Sequence, residues 1–205
     1  MTIPAPTPRK GFIKVLLPVV VIVCAVFIVL SFLKSQVPSR SNLEADPAAA
    51  HTAEEAQPKA SIGGIAPDFD LAPIGGAKAA KLADFRAKLL VVNFWATWCE
   101  ACMEEMPSLV QMREAYKSKG VEVIGIDLDE NASTVVPRAA AQYKMAFPIY
   151  LDPDNKLTDY FDIHAIPVSV VMGAADRKIL YIETGERNWN DQETRNLIDK
   201  WLNGK

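Results

Sequence analysis

The sequence predicts an α/β sandwich preceded by one membrane-spanning helix. Three observations lead there. Short, near-continuous apolar runs alternate with helical stretches over residues 61–205, a 19-residue uncharged run lies near the N-terminus, and the stretch between is too poor in bulky apolar residues to fold. With anchor and spacer set aside, a chain of 205 residues leaves one compact domain of ordinary size.

Residues 15–33 read VLLPVVVIVCAVFIVLSFL without a charge, close to the roughly 20 residues a helix needs to cross the hydrocarbon core. The run exceeds the ~7–15 residues of a signal-peptide core, so a retained signal anchor is expected. Cys24 inside it is read as a small apolar residue. Arg9, Lys10 and Lys14 precede the run, against Lys34 and Arg40 after it. That bias keeps residues 1–14 in the cytoplasm and sends the C-terminal body across the membrane. Residues 34–60, rich in Ala, Pro and small polar side chains, read as a flexible linker.

In the body, residues 89–96 (LLVVNFWA), Val121–Asp127 and residues 147–151 read as buried parallel strands. Residues 100–118 and 133–144 read as the helices between them, 157–161 as a short helix and 191–202 as a terminal amphipathic one. Residues 168–172 and Ile179–Thr184, joined by a turn, read as an antiparallel hairpin.

The charge is lopsided. The first 43 residues hold five basic residues and no acid, whereas the remainder holds 17 basic against 25 acidic. An acidic body without a Lys/Arg stripe excludes nucleic acid as a partner, because phosphate contacts supply most of that affinity. Three cysteines make no disulfide framework, so Cys99 and Cys102 are read as a working pair. No cofactor beyond a redox-active Cys99–Cys102 disulfide is expected, and no resident metal.

A Cys-x-x-Cys pair that follows an apolar strand and opens a helix has a specific consequence. Cys99 falls at the helix N-terminus, where unpaired N–H groups and the dipole favour a thiolate, so it is the expected exposed nucleophile. Cys102, one turn on, is placed to attack a mixed disulfide on Cys99. Two thiolates at this spacing are also soft-metal ligands, which leaves open a copper-binding metallochaperone using Cys99, Cys102 and His164. His51 and His164 are the only histidines in the chain. A thiol peroxidase is a third class, although the Pro and Thr arrangement before a peroxidatic cysteine is absent here.

The segment VVNFWATWCEACMEEMPSL resembles the active-site segment of the thioredoxin superfamily, in particular its membrane-anchored TlpA/ResA-like branch. The likeness extends from about residue 64 to 202, taking in FPIYLD and the Ile166-Pro167 step. The resemblance implies a thioredoxin fold with a central αβ insertion. The 40 residues from Asp127 to Pro167 have room for it. It also implies that Pro167 is a cis-proline facing the disulfide, with Ile166 presenting backbone groups to a substrate chain. Trp98, beside Cys99, is the expected substrate surface, and His164, three residues before Pro167, is read as a surface residue.

Two positions bear on proton transfer. Asn93, six residues before Cys99, stands where thioredoxins commonly carry a buried Asp, and an amide cannot accept that proton. At 100° per residue Cys102, Glu105, Met106 and Leu109 share one helix face, whereas Glu104 points away. A carboxyl on that inner face should have a raised pKa and exchange protons with the thiols, and the branch it resembles has an acid there. Glu100, between the cysteines, opposes ionisation of Cys99 by its charge. Strong oxidants of this chemistry lie near about −120 mV and reductants near about −270 mV, and Glu100 places this pair toward the reductant end. Proteins of the resembling branch are held at the bacterial inner membrane, with the domain facing the periplasm or cell exterior. They reduce disulfides in dedicated partners such as apocytochrome c or copper-delivery proteins, and take electrons from a membrane thiol carrier resembling CcdA or DsbD.

Overall fold

The computed structural model describes residues 59–74 and 77–204. The N-terminal segment 1–14, the run 15–33 expected to span a membrane and the expected linker as far as residue 58 lie outside the described residues. Among the described residues, no helix is long and apolar enough to cross a membrane.

Seven strands form one mixed sheet in the order β2-β1-β5-β4-β3-β6-β7. They are β1 (Asp70–Pro73), β2 (Ala80–Lys81), β3 (Leu89–Trp95), β4 (Val121–Asp127), β5 (Ile149–Leu151), β6 (Val168–Gly173) and β7 (Ile179–Thr184). Four helices connect or follow them: α1 (Glu100–Tyr116), α2 (Ala132–Tyr143), α3 (Lys156–Tyr160) and α4 (Gln192–Leu202). β3 is an interior strand between β4 and β6, and every one of its residues is buried, which explains why its sequence is nearly continuously apolar rather than alternating. Its odd-numbered side chains Leu89, Val91 and Trp95 pack with Met106, Leu109 and Met112 of α1 and Ile198 of α4. Its even-numbered Leu90, Val92 and Phe94 join Ile124, Leu157 and Phe161 on the opposite face.

The expected parallel core is present. β3 pairs with β4 and β4 with β5 in parallel, while β6 and β7 form the antiparallel hairpin. Within the 40 residues between Asp127 and Pro167, α2 and β5 form an αβ unit whose strand extends the sheet beyond β4. α1 ends at Tyr116 instead of 118, because residues 117–119 tighten into a 3₁₀ turn that closes on Gly120 at φ 98°. Only glycine takes that conformation without strain.

Two strands were not foreseen. β1 and β2 come from a segment with no alternating apolar run, where Leu71 is the buried side chain of β1. They exist because β5 offers a free edge, to which β1 pairs antiparallel through Ala72↔Leu151. The linker boundary also moves. Ala60 N–H donates to the Tyr160 carbonyl, and the Lys59 ammonium pairs with Asp162. The last two residues assigned to the linker therefore belong to the fold, attached through backbone and charge contacts that apolar content does not reveal.

One close approach fixes the packing beneath the site. Gly125 in β4 lies under Trp95, and a Cβ there would sit 2.7 Å from the indole Nε1. Gly125→Ala is expected to destabilise the domain by about 1–3 kcal/mol through overpacking, read as a lower midpoint in urea unfolding. An unchanged midpoint would show that Trp95 moves freely.

Candidate active site

The chain reaches the site through a short turn. After Trp95, residues 96–98 lead to Cys99, whose N–H donates to the Ala96 carbonyl at 3.2 Å. Asp129 holds this turn: its carboxylate accepts the Thr97 N–H at 2.7 Å and the Thr97 hydroxyl at 2.8 Å. The parallel register sets Trp95 against Asp127, so residues two beyond each strand end are neighbours.

Cys99 is the N-cap of α1, and its Sγ accepts the Cys102 N–H at 3.1 Å. A sulfur in this position meets the unpaired donors and positive dipole end of the helix, which favour negative charge there. Cys99 and Cys102 are disulfide-bonded. Cys99 retains 7% of its surface and Cys102 none. The nucleophile expected to be exposed thus offers only a sliver, and that sliver is the way in to the disulfide. The Ile166–Pro167 bond is cis, and the Ile166 carbonyl oxygen lies 3.7 Å from Cys99 Sγ. Trp98 is 69% exposed beside it, so Trp98, Ile166 and Cys99 form one surface.

Glu105 is buried on the inner face of α1 with Cys102 and Met106, while Glu104 is exposed. One carboxylate oxygen accepts Asn93 Nδ2 at 2.8 Å and the other the Arg187 main-chain N–H at 3.2 Å. Asn93 Nδ2 also reaches Ser169 Oγ at 2.9 Å, across the β3–β6 register that sets Asn93 opposite Ser169. Burial pushes the Glu105 pKa up from 4.5 to about 7, because removal from water disfavours the charged form. The Asn93 and Arg187 hydrogen bonds pull it partly back, and the charge of Glu186 adds to the rise. Asp127, buried at the end of β4, is raised to about 8 by burial and by the neighbouring charge of Asp129.

Glu100 is exposed in the first turn of α1. His164 is solvent-exposed and its Nε2 lies 3.1 Å from an Asp162 oxygen. Among the described residues no three His, Cys, Asp or Glu side chains converge on a point. Sequence reasoning missed Asp127, Asp129, Ser169 and Arg187. The first two carried a signal, since parallel strands in register bring their C-terminal loops together. Ser169 and Arg187 carried none.

A buried disulfide whose outer sulfur caps a helix beside a cis-proline, on a mixed sheet with a central parallel pair, defines a thiol-disulfide oxidoreductase of thioredoxin-like fold. The sequence profile of the AhpC/TSA family matches residues 62–183, and the chain belongs to that family. It is 34% identical over 144 residues to the thiol-disulfide oxidoreductase ResA of Bacillus thuringiensis subsp. konkukian, covering 70% of this chain and 78% of that one. To the ResA of Bacillus subtilis it is 30% identical over 143 residues, covering 70% and 75%. Among solved structures, one designated a thiol:disulfide interchange protein DsbE from Chlorobium tepidum superposes with a TM-score of 0.62 at 27% identity, over 69% of this chain and 98% of that one. StoA from Bacillus subtilis shares the fold, at a TM-score of 0.53 and 22% identity over 66% and 96%.

Proposed function

We propose that this protein is a membrane-tethered, extracytoplasmic disulfide reductase, with Cys99 as nucleophile, Cys102 as resolving thiol and Glu105 as proton partner. The buried carboxyl on the same helix face as Cys102 carries the reading. In the reducing direction Cys99 thiolate attacks a substrate disulfide, and the displaced sulfur leaves as a thiolate that takes up a proton. Cys102 passes its proton to the Glu105 carboxylate and attacks Cys99 Sγ, which releases the second substrate thiol and closes the Cys99–Cys102 disulfide. Two electrons pass to the substrate; one of its two sulfurs is protonated by the Cys102 proton returned from Glu105, the other by the proton Cys99 released on ionising. A carboxyl with a pKa of about 7 both takes and returns a proton near neutrality at little cost.

Trp98 and the Ile166 carbonyl would hold the substrate chain across the disulfide, with Pro167 shaping that edge and Asn93 orienting Glu105. Glu100 keeps the pair on the reducing side. The partners fitting this reading are exported proteins carrying a disulfide that must be opened, such as apocytochrome c or copper-delivery proteins, with electrons supplied by a membrane thiol carrier resembling CcdA or DsbD. Residues 15–33, with the positive bias before them, support an inner-membrane anchor and a domain facing the periplasm or cell exterior.

Cys102→Ser in the full chain, expressed in cells, tests both chemistry and place. Mixed disulfides on Cys99 with exported proteins are expected, together with labelling by a membrane-impermeant maleimide. Cytoplasmic captures would overturn the location, and trapping by Cys99→Ser alone would invert nucleophile and resolver.

A further inference from the structure

The Glu105 carboxylate is held from a part of the chain distant in sequence. The β7–α4 loop, residues 185–191, packs over α1 at that residue. Arg187 donates its main-chain N–H to Glu105 Oε2 at 3.2 Å. Trp189 N–H donates to Ser108 Oγ at 3.0 Å, and Ser108 Oγ donates to the Glu105 carbonyl at 2.8 Å. The loop is thus stitched to the turn of α1 that carries Glu105.

The Arg187 side chain fixes where its own main-chain N–H sits. The guanidinium is largely buried, with 15% of the side chain exposed. Its Nε donates to Thr194 Oγ1 at 2.9 Å, and its Nη1 donates to Tyr181 Oη at 3.1 Å and to a Glu183 oxygen. Tyr181 and Glu183 belong to β7, and Thr194, fully buried, to the first turn of α4. One planar fork therefore ties the end of the sheet to the start of the last helix. Arginine suits this because its donors are fixed in relative direction, which a lysine ammonium does not reproduce. A cavity of about 290 Å³ is lined by Glu105, Ser108, Glu186 and Arg187 together, so the Glu105 turn and the clamp border one space.

We propose that Arg187 is a positioning residue for the thiol-disulfide exchange, its side-chain fork to Tyr181, Glu183 and Thr194 holding its main-chain N–H on the Glu105 carboxylate. The inference rests on Glu105 being the proton partner of the cysteines. The groups acting on the Glu105 carboxyl are Asn93 from β3 and Glu186, Arg187 and Trp189 from the loop, with Cys102 buried on the same face of α1. Asp127 lies on the same sheet face at the end of β4. Arg187 acts here through geometry, since its guanidinium charge is already paired with Glu183 and lies close to Glu193.

The test uses purified full-length protein labelled with carboxyl-¹³C glutamate. It follows the Glu105 carbon against pH in the oxidised form and thiol alkylation against pH in the reduced form. Arg187→Lys keeps the charge and loses the fork. Thr194→Val keeps charge and near-equal volume, and removes the Nε acceptor together with the hydroxyl's donation to the Asn188 carbonyl at 3.1 Å. Both are expected to move the Glu105 midpoint upward by about half to one pH unit, the effect of one weakened hydrogen bond to the carboxylate. They should move the alkylation profile with it, and neither should shift that profile when combined with Glu105→Gln. If the single variants melt as the parent does but leave both profiles in place, the inference fails. An equal alkylation shift in the Glu105→Gln background overturns it too, by making the effect independent of the carboxyl. If Glu105→Gln by itself leaves alkylation unchanged, the proton-partner reading falls and this inference with it. A shift from Glu105→Gln with none from Arg187→Lys sinks the positioning role alone.

Discussion

Cys99→Ser is expected to abolish disulfide reduction, whereas Cys102→Ser keeps a single stoichiometric reaction with substrate and then stops. The difference follows from which sulfur substrate meets. Cys99 retains 7% of its surface and Cys102 none, so an incoming disulfide reaches Cys99 first, next to the exposed Trp98 and the Ile166 carbonyl. Cys102 enters only afterwards, from within. A serine at either position has no thiolate to offer, and the hydroxyl, far weaker as an acid, does not attack a disulfide. Neither change should unfold the domain. Serine is a favoured N-cap, and at position 99 its oxygen is placed to accept the Cys102 N–H that the sulfur now accepts. The disulfide spans a sequence separation of only 3, and closing so short a loop contributes about 2 kcal/mol by chain entropy. Rapid-mixing reduction of a fluorescent disulfide peptide checks this. A burst of one equivalent is expected for Cys102→Ser and none for Cys99→Ser, and multiple turnover by either would refute the two-thiol mechanism.

The central elements were legible because their causes are local. β3 announces itself as a continuous apolar run since it is covered on both faces, and α1 by its helical spacing and the cysteines at its start. Glu105 was readable on the same ground, as three residues of helix return a side chain to the face of Cys102. The edge strands β1 and β2 were not, because backbone pairing to β5 makes them and their side chains bury little. Arg187 lies 82 residues from Glu105, and the tie passes through a main-chain N–H that any non-proline residue has. No residue-type pattern encodes it. Asp129 falls between these cases, since its hold on Thr97 follows once β3 and β4 are known to be parallel and in register.

The other large effect concerns Glu105 and pH. A carboxyl whose pKa rises on folding holds its proton more tightly in the native state than in the unfolded chain. Its penalty is absent below the unfolded value of 4.5 and complete above the folded value of about 7. Across that window, at about 1.4 kcal/mol per unit, the shift removes on the order of 3 kcal/mol of stability. Asp127, displaced from 3.8 to about 8, acts with the same sign over a wider window. The oxidised protein is therefore expected to lose stability steadily from about pH 4 to pH 8. Glu105→Gln should recover part of it at pH 8 and nothing at pH 4. The recovery falls short of the whole because one amide oxygen cannot serve both Asn93 and the Arg187 N–H, leaving the amide nitrogen facing a donor. Urea unfolding at a series of pH values reads this directly, and parallel pH curves for parent and variant would show that the carboxyl is not the cause. On the role proposed for Glu105 the same substitution also removes the acceptor for the Cys102 proton, so the variant that is more stable above pH 7 should be the slower enzyme there. A buried acid retained at that expense is what a site would hold for its chemistry, since packing alone is served better by the amide.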